Sequence, residues 1–121
     1  MTERITKMKA FCVLAKGHDP RENLALGEYI IENCGQGEVW LYLWCNHNTV
    51  VIGRNQNPWR ECDMDAIKKD GVTLVRRQSG GGAVFHDAGN LNYTFITARD
   101  RAAVLDYAYF TRPIIRALGT M

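Results

Sequence analysis

The chain has 121 residues, 46% of them hydrophobic and 23% charged, and its 15 Lys and Arg against 13 Asp and Glu leave a net charge of +2. A chain of this length can bury roughly two thirds of the surface its unfolded form exposes, which argues against disorder and for one domain over residues 1–121. Near-neutral charge with no long basic run gives no footprint for nucleic acid or an anionic membrane; with no apolar run near the roughly 18 residues of a membrane span and a polar Met1–Lys9, the expected compartment is the cytoplasm.

Ala10–Ala15 is a short apolar run that predicts a buried strand, broken by Lys16-Gly17-His18. Asp19-Pro20-Arg21-Glu22 carries dense helix-start signals: an acidic N-cap, proline at the first helical position and Glu three residues after the cap. The helix is expected to reach about Asn33, with Leu24, Leu26, Tyr29, Ile30 and Ile31 on a broad apolar face and Cys34-Gly35 as its stop. Val39–Trp44 and Thr49–Ile52, joined by Asn46-His47-Asn48, read as a hairpin. Gly53–Trp59 has turn composition, with Trp59 expected to anchor it, and Asp63 is placed to cap a short helix over Met64–Lys69.

Val72–Val75 is a further strand, followed by the glycine-rich stretch, a strand at Ala83–Phe85, and the alternating strand Leu91–Thr97. Asp100 would cap a last helix ending near Leu118, with a kink or break near Arg112 because Pro113 interrupts it. The order predicts an α+β (mixed α/β) fold, a mixed β-sheet flanked by helices. None of Cys12, Cys34, Cys45 and Cys62 forms a C-x-x-C pair; all four read as structural free thiols, with Cys12 and Cys45 in strand-like runs as small hydrophobes.

The chemistry is concentrated in Arg76–Asn90, R-R-Q-S-G-G-G-A-V-F-H-D-A-G-N. Three consecutive glycines between strands let a ligand approach backbone N–H groups, which together with Arg76, Arg77 and Ser79 suit a phosphate. A merely tight hairpin turn is the plainer alternative. No Lys follows the glycines, as a Walker loop requires, and a strand rather than a helix comes next, so neither common phosphate-loop pattern applies. His86-Asp87 lacks a second nearby His and makes a poor metal site, so no metal ligand is assigned; Asp87 could equally cap the Ala88-Gly89 turn. Asn90 and Asn92 could read an adenine edge or close the turn. Trp40 and Trp44 share a strand face, as core or as pocket lining.

At these residues the chain resembles the lipoate–protein ligase A family. The matching pieces are R-R-Q-S-G-G-G-A-V-F-H-D-A-G-N over Arg76–Asn90, T-V-V-I-G-R-N-Q-N-P-W-R-E over Thr49–Glu61 and D-P-R-E-N-L-A over Asp19–Ala25. The resemblance implies the catalytic module shared with biotin ligases, and a two-step reaction: lipoate attacks the α-phosphate of ATP, with Mg²⁺, to give lipoyl-AMP and pyrophosphate, and the lipoyl group then passes to a lysine of a lipoyl domain. By the same match Arg77 and Ser79 would be catalytic. Arg77, Gly80, Gly81, Gly82, Ala83, Val84, Phe85, His86 and Asn90 would bind the nucleotide, and Leu24, Leu26, Trp44 and His86 would line the lipoyl slot.

Acceptors implied are the lipoyl domains of 2-oxoacid dehydrogenase complexes and the glycine-cleavage H protein. A lysine that the family carries on a later strand has no counterpart before Met121, so the chain is expected to hold part of the site, to have little activity alone, and to pair with the missing C-terminal part. Gly27 stands where relatives often have an acidic residue, and could widen the pocket or permit close packing. Two other readings fit the residues: a non-catalytic nucleotide- or lipoyl-binding module, and an ATP-independent octanoyltransferase working through a cysteine thioester.

Overall fold

The structure, a computed structural model, describes residues 8–98 and 107–121. Its elements are β1 (Lys9–Leu14), α1 (Pro20–Asn33), β2 (Glu38–Trp44), β3 (Thr49–Ile52), α2 (Pro58–Glu61), α3 (Met64–Lys69), β4 (Thr73–Arg76), β5 (Val84–His86), β6 (Asn92–Thr97) and α4 (Tyr107–Gly119). The strands form two three-stranded mixed sheets, ordered β1-β2-β6 and β4-β3-β5. The parallel pairs β1–β2 and β3–β4 need crossovers, supplied by α1 and by α2 with α3.

Local signals explain the helix starts. Asp19 accepts from the N–H groups of Arg21 (2.8 Å) and Glu22 (3.4 Å), Asn57 from Trp59 (3.0 Å), and Asp63 from Ala66 (3.0 Å). The expected hairpin between Val39–Trp44 and Thr49–Ile52 does not form: β2 pairs with β1 and β6, and β3 with β4 and β5. The segment between them turns a corner from one sheet to the other. It is held there by the fully buried Asn46 side chain and by the backbone N–H of His47, which donates to the carbonyl of His18 at 3.0 Å. Short-range turn composition cannot distinguish a hairpin from such a corner, because both need polar residues that bond locally.

Trp59 does not anchor its loop, being 76% exposed. Cys12 is exposed rather than buried, and all four cysteines are free. The last helix runs unbroken across Pro113, and the expected cap Asp100 lies outside the described residues. Among the described residues no helix is long and apolar enough to cross a membrane.

The core sits between α1 and the face of the first sheet that carries Phe11, Val13, Trp40, Tyr42, Trp44 and Ile96. Ile30, Tyr42 and Ile96 are its buried centre, with Val13, Ala15, Leu26, Cys34, Trp40 and Trp44 packed around them. Phe11 stacks on Trp40 at 4.3 Å between ring centroids, which gives Trp40 its core role. Register puts Cys12, Leu41 and Phe95, and beside them Leu14, Leu43 and Tyr93, on the opposite face; Phe110 of α4 reaches Phe95 there at 6.1 Å between centroids.

Tyr42 is 1% exposed and its hydroxyl donates to the carbonyl of Asn23 at 2.9 Å. Burial pushes its phenol up to about 12 from an ordinary 10. The folded state therefore holds this proton more tightly than the unfolded chain, and stability present below pH 10 is expected to be lost as pH rises towards 12. Chemical denaturation across that interval checks it, and Tyr42→Phe should flatten the loss; an identical alkaline decline in that variant would assign it to other groups.

Candidate functional site

The glycine-rich segment is not a hairpin turn. β4 and β5 lie on opposite sides of β3, so residues 77–83 must cross over the C-terminal end of β3. Glycine is required at two points of the crossing. Gly53, just past β3, lies so close to the loop that a Cβ there would stand 2.1 Å from the carbonyl oxygen of Gly81. Gly81 itself has φ +106, a conformation open to glycine and strained for other residues.

Further bonds fix the crossing. The N–H of Arg54 donates to the carbonyl of Ser79 (2.9 Å) and that of Arg77 to Ile52 (3.0 Å), while the Arg77 guanidinium donates to the carbonyls of Val51 (3.3 Å) and Gly80 (2.8 Å). Arg76 does not join the glycine loop as an anion-binding charge. Its guanidinium turns to the 53–56 turn and donates to the carbonyls of Gly53 (3.2 Å), Arg54 (3.0 Å) and Gln56 (2.6 Å), because alternation along β4 sends it the other way from Val75.

Behind the crossing is a cavity of about 430 Å³, within the range of small-molecule sites. Its wall follows from helical and strand periods. α1 contributes Asn23, Leu24, Gly27, Glu28 and Ile31, which share one face, and the strands contribute alternate residues: Tyr42 and Trp44, Val51, Val84 and His86, Asn92 and Thr94. Arg77, Gln78 and Ser79 close the end beneath the glycines. The wall is mainly apolar, with Glu28 its single carboxylate, and the remaining polar groups are mostly hydrogen-bond donors or hydroxyls.

Of the residues singled out by sequence, Leu24, Trp44, Arg77, Ser79, Val84 and His86 come together on this wall. Leu26 does not; it packs into the core, because a two-residue step along α1 turns it away from Leu24. Phe85 points opposite to Val84 and His86 and is exposed, as the strand period dictates. Gly80, Gly81, Gly82 and Ala83 lie on the exposed rim, outside the cavity; a Cβ on Gly80 or Gly82 would meet nothing within 4 Å, so that side is open to a ligand.

Asn90 closes the turn, its amide donating to Asn92 Oδ1 at 3.1 Å, and Asp87 accepts from the N–H of Gly89 at 2.9 Å instead of partnering His86. Among the described residues no group of three His, Cys, Asp or Glu is placed to hold a metal ion, and no cysteine lines the cavity. Sequence reasoning missed Gly53, Asn23, Tyr42, Asn46 and the pocket role of Asn92. The strand alternation shared by Asn92 with Thr94, and by Tyr42 with Trp44, is the signal that could have found two of them.

His86 is 8% exposed, with the edge of Trp44 against its ring at 5.7 Å between centroids. Burial first, and the Arg77 charge second, hold its imidazole below the ordinary 6.5, which keeps it neutral at pH 7. Asn92 Nδ2 is buried on the wall without a hydrogen-bond partner. Leaving such a donor unpaired costs about 1–3 kcal/mol, so the amide is open to an acceptor oxygen of water or of a ligand. Trp44 Nε1 donates to the hydroxyl of Thr94 at 3.2 Å and is already satisfied.

The family model of the lipoyl protein ligase A/B catalytic domain matches residues 19–121. The chain belongs to this family. Across 88 residues it is 51% identical to lipoate-protein ligase A of Blochmanniella pennsylvanica (strain BPEN), covering 73% of this chain and 26% of the relative. A putative lipoate protein ligase of Thermoplasma acidophilum with bound lipoic acid superposes with a TM-score of 0.74 at 30% identity, over 93% of this chain and 48% of that one. A lipoate-protein ligase A bound with ATP gives the same score and identity over 93% and 47%. A structural study of a bi-partite lipoate protein ligase and its E2 lipoyl domain from T. acidophilum gives 0.73 at 30% identity, over 93% and 46%. The chain thus spans about a quarter of the length of this curated relative and under half of these solved chains.

Gly27 of α1 lines the cavity. A Cβ on Gly27 would lie 3.5 Å from Tyr42 Cε1, ordinary van der Waals contact. Gly27→Ala is therefore expected to raise stability by about 0.5–1 kcal/mol through helix propensity while narrowing the cavity. Urea unfolding checks it, and a loss of stability would mean that α1 and Tyr42 cannot accommodate a methyl group.

Proposed function

We propose that the chain is the N-terminal, glycine-loop part of a lipoate–protein ligase catalytic domain. The overall reaction is activation of lipoate by ATP to lipoyl-AMP with release of pyrophosphate, followed by transfer of the lipoyl group to a lysine of a lipoyl domain. The observation that carries this reading is the junction of an apolar cavity, donor-lined at one end, with a glycine crossing whose outer side is uncrowded. Its support from outside the chain is the family match and the lipoic acid and ATP bound by similar proteins.

The residues divide the work. Leu24, Ile31, Tyr42, Trp44, Val51 and Val84 take the apolar lipoyl chain out of water, worth roughly 25 cal/mol per Å² of area removed. Asn92 Nδ2 and His86 donate to oxygens at its polar end, and Arg77 with Ser79 supplies charge and a hydroxyl where the chain's carboxylate would meet the phosphoryl group. The backbone from Gly80 to Phe85, of which Gly80–Ala83 and Phe85 lie outside the cavity, is the proposed rest for ATP, which supplies the adenylyl group; Mg²⁺ would enter as the counter-ion of its triphosphate. Fixed donors of this kind stabilise charge that develops in the transition state, and holding both reactants in line lowers the entropic barrier.

The acceptor proposed is a lipoyl domain of a 2-oxoacid dehydrogenase, or the glycine-cleavage H protein; the E2 lipoyl domain studied with the T. acidophilum ligase supports the first. Since the chain matches about a quarter of its relative's length, binding without efficient transfer is the expected behaviour of the 121-residue chain. Calorimetric titration with lipoyl-AMP tests binding, and absence of heat at high protein concentration overturns the reading. Incubation with ATP, Mg²⁺, lipoate and a lipoyl domain tests the division of the site, and robust lipoylation by this chain alone overturns it.

A further inference from the structure

A neutral imidazole can show a cavity either a donor or an acceptor, and burial alone does not decide which. Around His86 the decision is made by two buried asparagines that the proposed reaction does not use. Asn23, on α1, has its Nδ2 at 2.9 Å from the carbonyl oxygen of Cys45 and 3.3 Å from that of Gly17. Carbonyl oxygens only accept, so the amide nitrogen must face them. The same Nδ2 lies 3.0 Å from Asn46 Oδ1. Turning the Asn46 amide over would set two NH₂ groups against each other, and Asn46 is fully buried, where that clash has no water to relieve it. Asn46 Nδ2 consequently faces His86 Nδ1 at 3.1 Å and can only donate to it.

We infer that Asn23 and Asn46 form a hydrogen-bond relay that fixes His86 with a bare Nδ1 and a protonated Nε2, so that the imidazole presents a donor to the cavity. The polarity begins at two backbone carbonyls, passes from α1 to the corner after β2, and ends on β5, so the tautomer of His86 is selected by groups from three other segments of the chain. Asn23 and Asn46 are positioning residues in this relay. The donor they enforce joins Asn92 Nδ2, the unpartnered donor on the same wall. Together they favour a ligand that brings carbonyl, carboxylate or phosphoryl oxygens, and they disfavour one that brings N–H groups. The charged or titratable groups sharing the wall with His86 are Arg77, Glu28 and Tyr42, none of them a bonded partner of its ring.

The inference rests on the reading of the cavity as the lipoyl site only for the identity of the ligand; the tautomer can be read without any ligand. Long-range ¹H–¹⁵N correlation of the histidine-labelled full chain at neutral pH, with His86 assigned through the loss of its signals in His86→Gln, is expected to show Nδ1 bare and Nε2 protonated. A protonated Nδ1 overturns the relay, and the tautomer is read on the unaltered chain, His86→Gln serving only for assignment. Asn46→Asp puts an acceptor where the donor stood, at nearly unchanged volume, and is expected to move the proton to Nδ1 or to leave a doubly protonated ring; an unchanged tautomer in folded Asn46→Asp also overturns the relay. Where the proton has moved to Nδ1 and left Nε2 bare, calorimetry with lipoate is expected to show affinity at least about tenfold weaker, the scale of one hydrogen bond to a charged group; a doubly protonated ring keeps the Nε2 donor and is expected to bind at least as tightly as the parent. Equal affinities with Nε2 bare would remove the donor's role in binding. No binding of lipoate to either form, with the expected tautomer present, would instead count against the lipoyl reading of the cavity.

Discussion

Gly53→Ala is expected to displace the glycine crossing and to weaken lipoyl-AMP binding by more than tenfold. A methyl group at Gly53 would stand 2.1 Å from the carbonyl oxygen of Gly81 and 3.2 Å from its nitrogen, and these are backbone atoms, which cannot rotate aside as a flexible side chain would. The loop must move, and the bonds from Arg54 to Ser79 and from Arg77 to Gly80 move with it. Overpacking of this kind costs about 1–3 kcal/mol. Gly82→Ala is the matched control: a Cβ there meets nothing within 4 Å, so its stability is expected to stay within about 0.5 kcal/mol of the parent. Urea unfolding and calorimetry on both variants decide the matter. Parent-like binding and stability in Gly53→Ala would show that the crossing is not pinned at Gly53, whereas lost binding in a stable Gly82→Ala would place the ligand on the open rim.

Arg77→Ala is expected to weaken lipoyl-AMP binding by about 1.5–3 kcal/mol, the scale of a hydrogen bond to a charged group. The side chain both carries charge to the closed end of the cavity and ties the loop to β3 through Gly80 and Val51. Arg77→Lys separates the two roles, since it keeps the charge and loses the fork that reaches two carbonyls. An intermediate affinity is expected; unchanged binding in both variants would put the arginine outside the site. His86 offers a second readout. The Arg77 charge is one cause of its lowered pKa, so removing it should raise the imidazole titration towards 6.5. A depressed histidine contributes stability that is present above pH 6.5 and lost as pH falls below it, and this acid loss should be smaller in Arg77→Ala.

Much of the local structure was legible because its causes are local. Asp19 with Pro20, and Asp63, start helices by the bonds they accept, and the strands near Thr49–Ile52 and Asn92–Thr97 follow from β-branched and alternating residues. The errors fell where the deciding partner is remote. Asn46-His47-Asn48 has the composition of a hairpin turn, yet it is a corner because Asn23 and His86 hold Asn46 inside. A kink or break was expected near Arg112, and of the two the break does not occur, since the helix continues through Pro113. The site was legible in part: Arg77, Ser79, Val84, His86, Leu24 and Trp44 do meet, but Leu26, placed in the slot by the family resemblance, is turned into the core by the helical period, and the strand period turns the Phe85 side chain outward, which leaves its backbone for the nucleotide.

By itself the sequence determined the family, the helix caps and the glycine-rich segment, since each depends on residues within a few positions of one another. It also carried two distinct motifs, Thr49–Glu61 and Arg76–Asn90, with no stated reason for their occurring together. Tertiary structure supplies that reason: Gly53 lies under Gly81, Arg54 bonds to Ser79, and Arg76 braces the 53–56 turn, so the two motifs are halves of one crossing over the end of β3. Only the fold decided the cavity wall and the polarity of its donors, because α1, both sheets and the buried asparagines come together through packing rather than through any spacing along the chain.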